Sequence, residues 1–313
     1  MSDGDAHVVI GAGGGIGGAV VRELVARELP TIAVSRGGDA GASGAESRQA
    51  DAATTEGAIE ACRGAAVVYH CAQPPYTRWA QDFPPLTEAV LLGARSAGAK
   101  LVMADNLYAY GQVSGPITEE TPRAATGKKG RVRIAMEERL LSAHQAGEAR
   151  VAIGRASDHY GPGGRNTVAG DQVFGRIAAG KKPRWLGAAD QPHTFSYLGD
   201  VGRGLVTLGL EQTADGQVWH LPAAEPMTGR AFCSLACEAM RAPPSINVTP
   251  PAMIRLLGVF SPLIRELGET SYQFTAPFVI DASRFQQALG PLDPTPHREA
   301  VSVTAEWFRS QAG

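Results

Sequence analysis

An excess of charge of either sign is the first thing missing: 29 Lys and Arg stand against 31 Asp and Glu, a formal net charge of −2. Nucleic acids and anionic membrane surfaces are recognised by strong fields of one sign, so neither is an expected partner. Cysteine is scarce. The four residues Cys62, Cys71, Cys233 and Cys237 make no Cys-x-x-Cys pair and sit beside no histidine cluster at zinc spacing, so no metal site is expected. No apolar run reaches bilayer-spanning length, and the polar Met1-Ser2-Asp3-Gly4-Asp5 lacks a secretory pattern. A cytoplasmic location is therefore expected. Internal repeats and long linkers are also absent. What remains is a chain of 313 residues, 44% of them hydrophobic, enough for an α/β core with a modest second lobe.

Glycine, by contrast, is abundant and concentrated near the start, in His7-Val8-Val9-Ile10-Gly11-Ala12-Gly13-Gly14-Gly15-Ile16-Gly17. A β-branched run enters the turn, and a helical pattern over Gly17 to Arg27 leaves it. Gly11, Gly14 and Gly17 give the spacing G-x-x-G-x-x-G, with Gly15 and Ile16 inside it. Glycine lets backbone N–H groups approach a ligand, and the helix that follows aims its positive end at phosphate. In this strand–turn–helix setting the pattern predicts a dinucleotide site.

The second strand, Thr31 to Val34, ends at Ser35-Arg36-Gly37-Gly38, where an acid would accept the two ribose hydroxyls of NAD. None stands there. Ser35 and Arg36 offer a hydroxyl and a guanidinium, groups suited to a 2′-phosphate, so NADP(H) is favoured over NAD(H). Asp51 closes the third strand and is a candidate for adenine. Ala65 to Ala72 is a continuous apolar strand of the kind buried on both faces of a parallel sheet. Beyond it, Tyr76 and Trp79 leave the carboxyl edge where open α/β sheets bind ligands. A helix over Leu86 to Ala97, a strand at Lys100 to Ala104, a helix over Gly130 to Gly147 and a strand at Arg150 to Arg155 complete the alternation.

The glycine turn, His70-Cys71-Ala72, Tyr110-Gly111, Glu119-Glu120-Thr121-Pro122, Arg155 to Pro162 and Phe195-Ser196-Tyr197-Leu198-Gly199-Asp200-Val201 follow one another in an order that resembles the extended short-chain dehydrogenase/reductases, the NAD(P)-dependent epimerase/dehydratase family. Asp281-Ala282-Ser283-Arg284 and Leu289-Gly290 extend the resemblance towards the end. It implies a Rossmann-type doubly wound parallel sheet with a smaller C-terminal substrate lobe. The dinucleotide core is expected over 1–164, with segments 195–222 and 276–290 returning to it. The lobe is expected over 165–194 and 223–275, and a terminal helix over 291–313. Cys71 and Ala72 would line the cofactor, and the helices at 86–97 and 130–147 would pair in a homodimer. Met240, Met253, Ile254, Leu256, Leu257, Val259 and Phe260 point to an apolar lobe.

The family works with a Ser, a Tyr and a Lys, and here the chain departs from it. Counting from Tyr110-Gly111 places the serine position on Asn106. Counting from Glu137 places the Tyr and Lys positions on Lys129 and Arg133. Lys129, Tyr108 and Asn106 are the candidate catalytic groups, as proton donors or as a donor to an oxyanion. A surface lysine at a helix start and an i,i+4 pair between Arg133 and Glu137 are the plainer readings. Asp105, if buried, demands a partner. Tyr76, Trp79, Tyr108, His159, Tyr160, Trp185 and His193 are the candidate substrate contacts. Sugar-nucleotide members carry an arginine for the diphosphate where this chain has Gln191-Pro192-His193-Thr194. The expectation is an enzyme, an NADP(H)-dependent oxidoreductase acting on a small, fairly apolar carbonyl, alcohol or imine compound. The alternatives are an NADP-binding sensor or scaffold without turnover, and a cyclase or isomerase reusing the cleft.

Overall fold

A computed structural model describes residues 5–38, 44–250, 253, 266 and 268–311. Ile254, Leu256, Leu257, Val259 and Phe260, part of the expected apolar lobe, lie outside them. Five β-branched or apolar runs and the polar β3 build six strands in the first half of the chain: β1 (Ala6–Ile10), β2 (Thr31–Ser35), β3 (Glu46–Gln49), β4 (Ala65–His70), β5 (Lys100–Asp105) and β6 (Val151–Arg155). Four short strands outside the main sheet follow, β7 (Asp158–Tyr160), β8 (Arg184–Leu186), β9 (Pro192–His193) and β10 (Phe195–Tyr197). The last three are β11 (Gln217–His220), β12 (Met227–Thr228) and β13 (Asn247–Thr249). The main sheet has seven strands in the order β11-β6-β5-β4-β1-β2-β3, all parallel. The order turns back at β1, which puts the ligand crevice at the carboxyl ends of β1 and β4.

Helices cover both faces, as continuous apolar strands require. On one face lie α1 (Gly15–Ala26) and α6 (Leu198–Leu210), whose Val20, Val21, Leu24, Val201 and Leu205 are buried with Val9 and Tyr69. On the other lie α2 (Thr55–Cys62), α3 (Trp79–Ala97) and α4 (Lys128–Gln145), packing Ala58, Phe83, Val90, Met136 and Leu140 over Val8, Val68 and Leu101. The edge strand β3 is short and charged, which discourages pairing with another chain.

The start of α3 differs from expectation. The sequence pattern places it near Leu86, because Pro84 and Pro85 remove two helical N–H donors. The helix nevertheless begins at Trp79, since Trp79 and Phe83, one turn apart, are both buried in the core. Tertiary burial outweighs the local penalty. A third core lies away from the main sheet, where Phe174, Trp185, Phe195 and Phe232, in the region expected to form the lobe and its borders, meet Ala300, Val301 and Phe308. There the π-helical Gly170–Gly175, the short α5 (Arg176–Ala178), α7 (Gly229–Ala239) and α9 (His297–Ser310) come together, while α8 (Ser283–Leu289) returns to the main sheet through Phe285. Among the described residues no helix is long and apolar enough to cross a membrane.

Candidate active site

The glycine turn closes tightly on its own backbone. Gly11 has φ +87°, and a Cβ there would lie 2.6 Å from the Ala72 nitrogen. A Cβ on Gly17 would lie 2.2 Å from the Gly11 carbonyl oxygen. Gly13 faces open space instead, and Gly14 caps α1 with no side chain over its end. The first turn of α1 carries no acid, so its N–H groups and dipole meet no internal anion within the helix. Uncovered donors beside a glycine-lined opening fit a dinucleotide diphosphate. Around them, Ile16 is half-buried, Cys71 donates its backbone N–H to the Ile10 carbonyl at 2.9 Å, and burial pushes the Cys71 thiol up to about 12. Ser35 is half-buried and Arg36 exposed at the end of β2, with the Arg36 carbonyl held by Gln49 Nε2 at 2.9 Å. Exposed Asp51 accepts the Ala53 N–H on its carboxylate at 3.2 Å.

Beyond β5 the chain turns at Leu107, and the Asn106 Oδ1 accepts the Tyr108 N–H at 3.0 Å. Asn106 thus braces the turn that carries Tyr108. The Tyr108 ring lies 5.9 Å from Trp79, which in turn contacts Tyr76 at 5.1 Å. Burial first, and then Tyr76 and Asp158, hold the Tyr108 hydroxyl well above its ordinary range. The Tyr76 hydroxyl meets Thr270 Oγ1 at 3.2 Å, and burial likewise raises Tyr76 and Tyr272, with Asp158 acting on both. Phenols in this corner remain protonated at neutral pH.

Lys129, in the first turn of α4, is 3% exposed. Its ammonium pairs with Glu266, stands 4.4 Å above the Tyr76 ring and lies 5.8 Å from Trp79. The surface alternative for Lys129 is thereby removed. Its backbone N–H donates to Glu269 Oε1 at 2.6 Å, capping a helix whose own cap, Gly127, has no side chain. One turn on, Arg133 is also buried, sandwiched between Trp79 at 4.5 Å and Phe83 at 4.4 Å.

Arg133 Nη1 is 3.1 Å from Asp105 Oδ1, but off hydrogen-bond alignment, so Arg133 Nε and Nη1 are buried without a hydrogen bond. Asp105 receives its aligned bond from Arg155 Nε at 2.8 Å. Glu137, rather than pairing with Arg133 four residues back, binds Arg155 and, at 3.0 Å, Arg123. The demand for a partner at Asp105 is met by two arginines.

From the far side, His193 Nε2 lies 2.9 Å from Asp158 Oδ2. Half-buried His159 sets its Nδ1 against the Ser157 carbonyl at 3.3 Å, and burial lowers its pKa, leaving the ring neutral. Two candidate contacts sit elsewhere. Trp185 is 2% exposed inside the lobe core, its Nε1 bound to the Ala188 carbonyl, and Tyr160 is buried against Phe232 with its hydroxyl on His297 Nδ1 at 3.0 Å. Both pack the lobe. Asp158, Glu266, Glu269 and Tyr272 join the cleft although the sequence did not single them out. Asp158 stands beside the motif histidine, and nothing in the local pattern marks the other three.

The profile of the NAD dependent epimerase/dehydratase family matches residues 7–221. No curated protein matches this chain. Among solved structures it is similar to the dTDP-glucose 4,6-dehydratase DesIV from Streptomyces venezuelae with NAD bound, at 16% identity, TM-score 0.80 and 97% of each chain. It is similar also to the UDP-glucose 4-epimerase of Thermotoga maritima, at 18% identity and TM-score 0.80, covering 98% of this chain and 100% of that one. The UDP-glucuronic acid 4-epimerase of Bacillus cereus, in complex with NAD, matches at 17% identity and TM-score 0.78 over 97% of each chain. Taken with the seven-stranded parallel sheet and the glycine cradle, the match over more than half its length shows that this chain belongs to the NAD dependent epimerase/dehydratase family.

Proposed function

We propose that the chain is an NADP(H)-dependent oxidoreductase with a non-standard proton-handling set, acting on a small, fairly apolar carbonyl, alcohol or imine compound. The observation that carries this is the buried Lys129 ammonium at the family's tyrosine position, fixed over the Tyr76 ring beside Tyr108. Asn106 and Arg133 take the places of the family's serine and lysine. Gly11 to Gly17 and the start of α1 would hold the diphosphate, Ser35 and Arg36 the 2′-phosphate, Asp51 the adenine, and Cys71 and Ala72 the floor between. When bound, the nicotinamide supplies hydride transfer. The protein's part is to orient the substrate, exclude water and manage one proton. Tyr108, kept protonated by burial near Asp158, donates a hydrogen bond from its hydroxyl to the reacting oxygen or nitrogen. Lys129, with one N–H given to Glu266, offers its remaining donors from a fixed point, and Arg133 a charge that does not titrate at neutral pH.

Purified protein mixed with NADPH and a panel of aldehydes, ketones and imines is expected to consume the nicotinamide absorbance. Lys129→Met should lower kcat by about 10²–10⁴-fold and leave the dinucleotide Kd in place. Unchanged turnover in that variant removes Lys129 from the chemistry. A second reading, a dinucleotide-binding protein without turnover, draws on the pairing of Lys129 with Glu266 and Arg133 with Asp105. Its mark is tight NADPH binding with no consumption across the whole panel.

A further inference from the structure

We propose that Asp158 sets the substrate class of the cleft, selecting a cationic nitrogen, an amine or the iminium derived from it, over nucleoside diphosphates. The inference rests on reading this cleft as the substrate site, and picks one of the three compound classes named above.

Asp158 opens β7 directly beyond β6, at the carboxyl edge of the main sheet. It is held in place from behind. His193 binds its Oδ2 at 2.9 Å and is itself 2% exposed, stacked on Phe274 at 5.3 Å and Phe278 at 5.4 Å. The adjacent Thr194 N–H donates to the Phe278 carbonyl at 2.9 Å, and His193 is registered against Met227. The segment that would present an arginine to a diphosphate therefore presents a histidine turned onto a carboxylate.

Three phenols, Tyr76, Tyr108 and Tyr272, lie within electrostatic reach of Asp158, and Trp79 packs on the first two, at 5.1 Å from Tyr76 and 5.9 Å from Tyr108. Aromatic faces attract cations electrostatically. This cluster already does so, since the Lys129 ammonium stands over Tyr76. Among the described residues, the two cations set against these rings are each matched by an acid, Lys129 by Glu266 and Arg133 by Asp105. Neither is left over to meet a diphosphate, whose charges would also face Asp158 at unfavourable range. A protonated nitrogen meets a carboxylate and ring faces together.

Isothermal titration of the full-length protein, with and without NADP+, compares 2-phenylethylamine, its neutral isostere 2-phenylethanol, and UDP-glucose. The amine is expected to bind about tenfold more tightly than the alcohol, with UDP-glucose weakest. Asp158→Asn, nearly isosteric, should erase the amine's advantage. Equal affinity for amine and alcohol in the wild type, tightest binding of UDP-glucose, an advantage that survives Asp158→Asn, or no amine binding at millimolar concentration would each overturn the assignment. The wild-type comparison decides the matter even if the variant does not fold. Failure of redox turnover would leave the binding preference standing, while its loss alongside intact NADPH consumption rejects the role of Asp158 alone.

Discussion

His70 is fully buried, with Nε2 3.3 Å from Thr87 Oγ1 and its Nδ1 without a partner. Burial, helped by nearby Arg133, lowers its pKa to about 3 from an ordinary 6.5. The unfolded chain therefore binds a proton below pH 6.5 that the folded chain refuses, so stability falls as pH drops through that window. His70 contributes up to about 1.4 kcal/mol of loss per pH unit. Denaturant melts between about pH 6.5 and pH 5 should show a slope that His70→Asn reduces by close to one proton. An unchanged slope would mean that His70 is protonated in the folded protein. His7, His159 and His220 are lowered by burial too, so part of the slope survives the substitution. Residues such as Asp105 were legible in advance, because a buried carboxylate must find a cation somewhere. Asp158 was not, because its meaning depends on His193, 35 residues away across the lobe.

The helix that carries Lys129 and Arg133 is set by a glycine and an acid. α4 begins at Lys128, two residues earlier than its apolar spacing indicates, because Glu269 supplies the cap from the far side of the cleft. No periodicity in α4 itself could signal that. Gly130 then lets the helix press onto the Tyr108 turn: a Cβ there would lie 2.2 Å from Ala125 Cβ and 2.6 Å from the Tyr108 carbonyl oxygen. Gly130→Ala gains helix propensity but must push the two elements apart, and overpacking of this kind costs about 1–3 kcal/mol. Thermal melts should show a lowered Tm, and the aromatic contacts of Tyr108 with Trp79 should loosen, read as a changed near-ultraviolet dichroism. A Tm equal to or above wild type would show that the turn yields freely and that Gly130 does not position Tyr108.

At the scale of the whole molecule, identities of 16–18% to the neighbouring structures coexist with one architecture. The sheet depends on strand-length apolar runs and a glycine turn, which many sequences satisfy, so it was readable from residue types alone. The cleft depends on single side chains brought together by distant segments: Tyr76 meets Thr270, and Lys129 meets Glu266 and Glu269. No local pattern encodes such pairings. The proposed cofactor choice lies between these extremes, since it rests on one local feature, the exposed Arg36 that follows β2 with no acid beside it among the described residues. A ligand that binds only the folded chain stabilises it by RT ln(1 + [L]/Kd), about 2.7 kcal/mol at a hundredfold excess over Kd. At equal concentrations NADPH should therefore raise the Tm more than NADH. Arg36→Glu should reverse the order, because a carboxylate repels the 2′-phosphate and accepts the ribose hydroxyls. Equal shifts for the two dinucleotides in the wild-type protein would show that Arg36 does not read the 2′-phosphate.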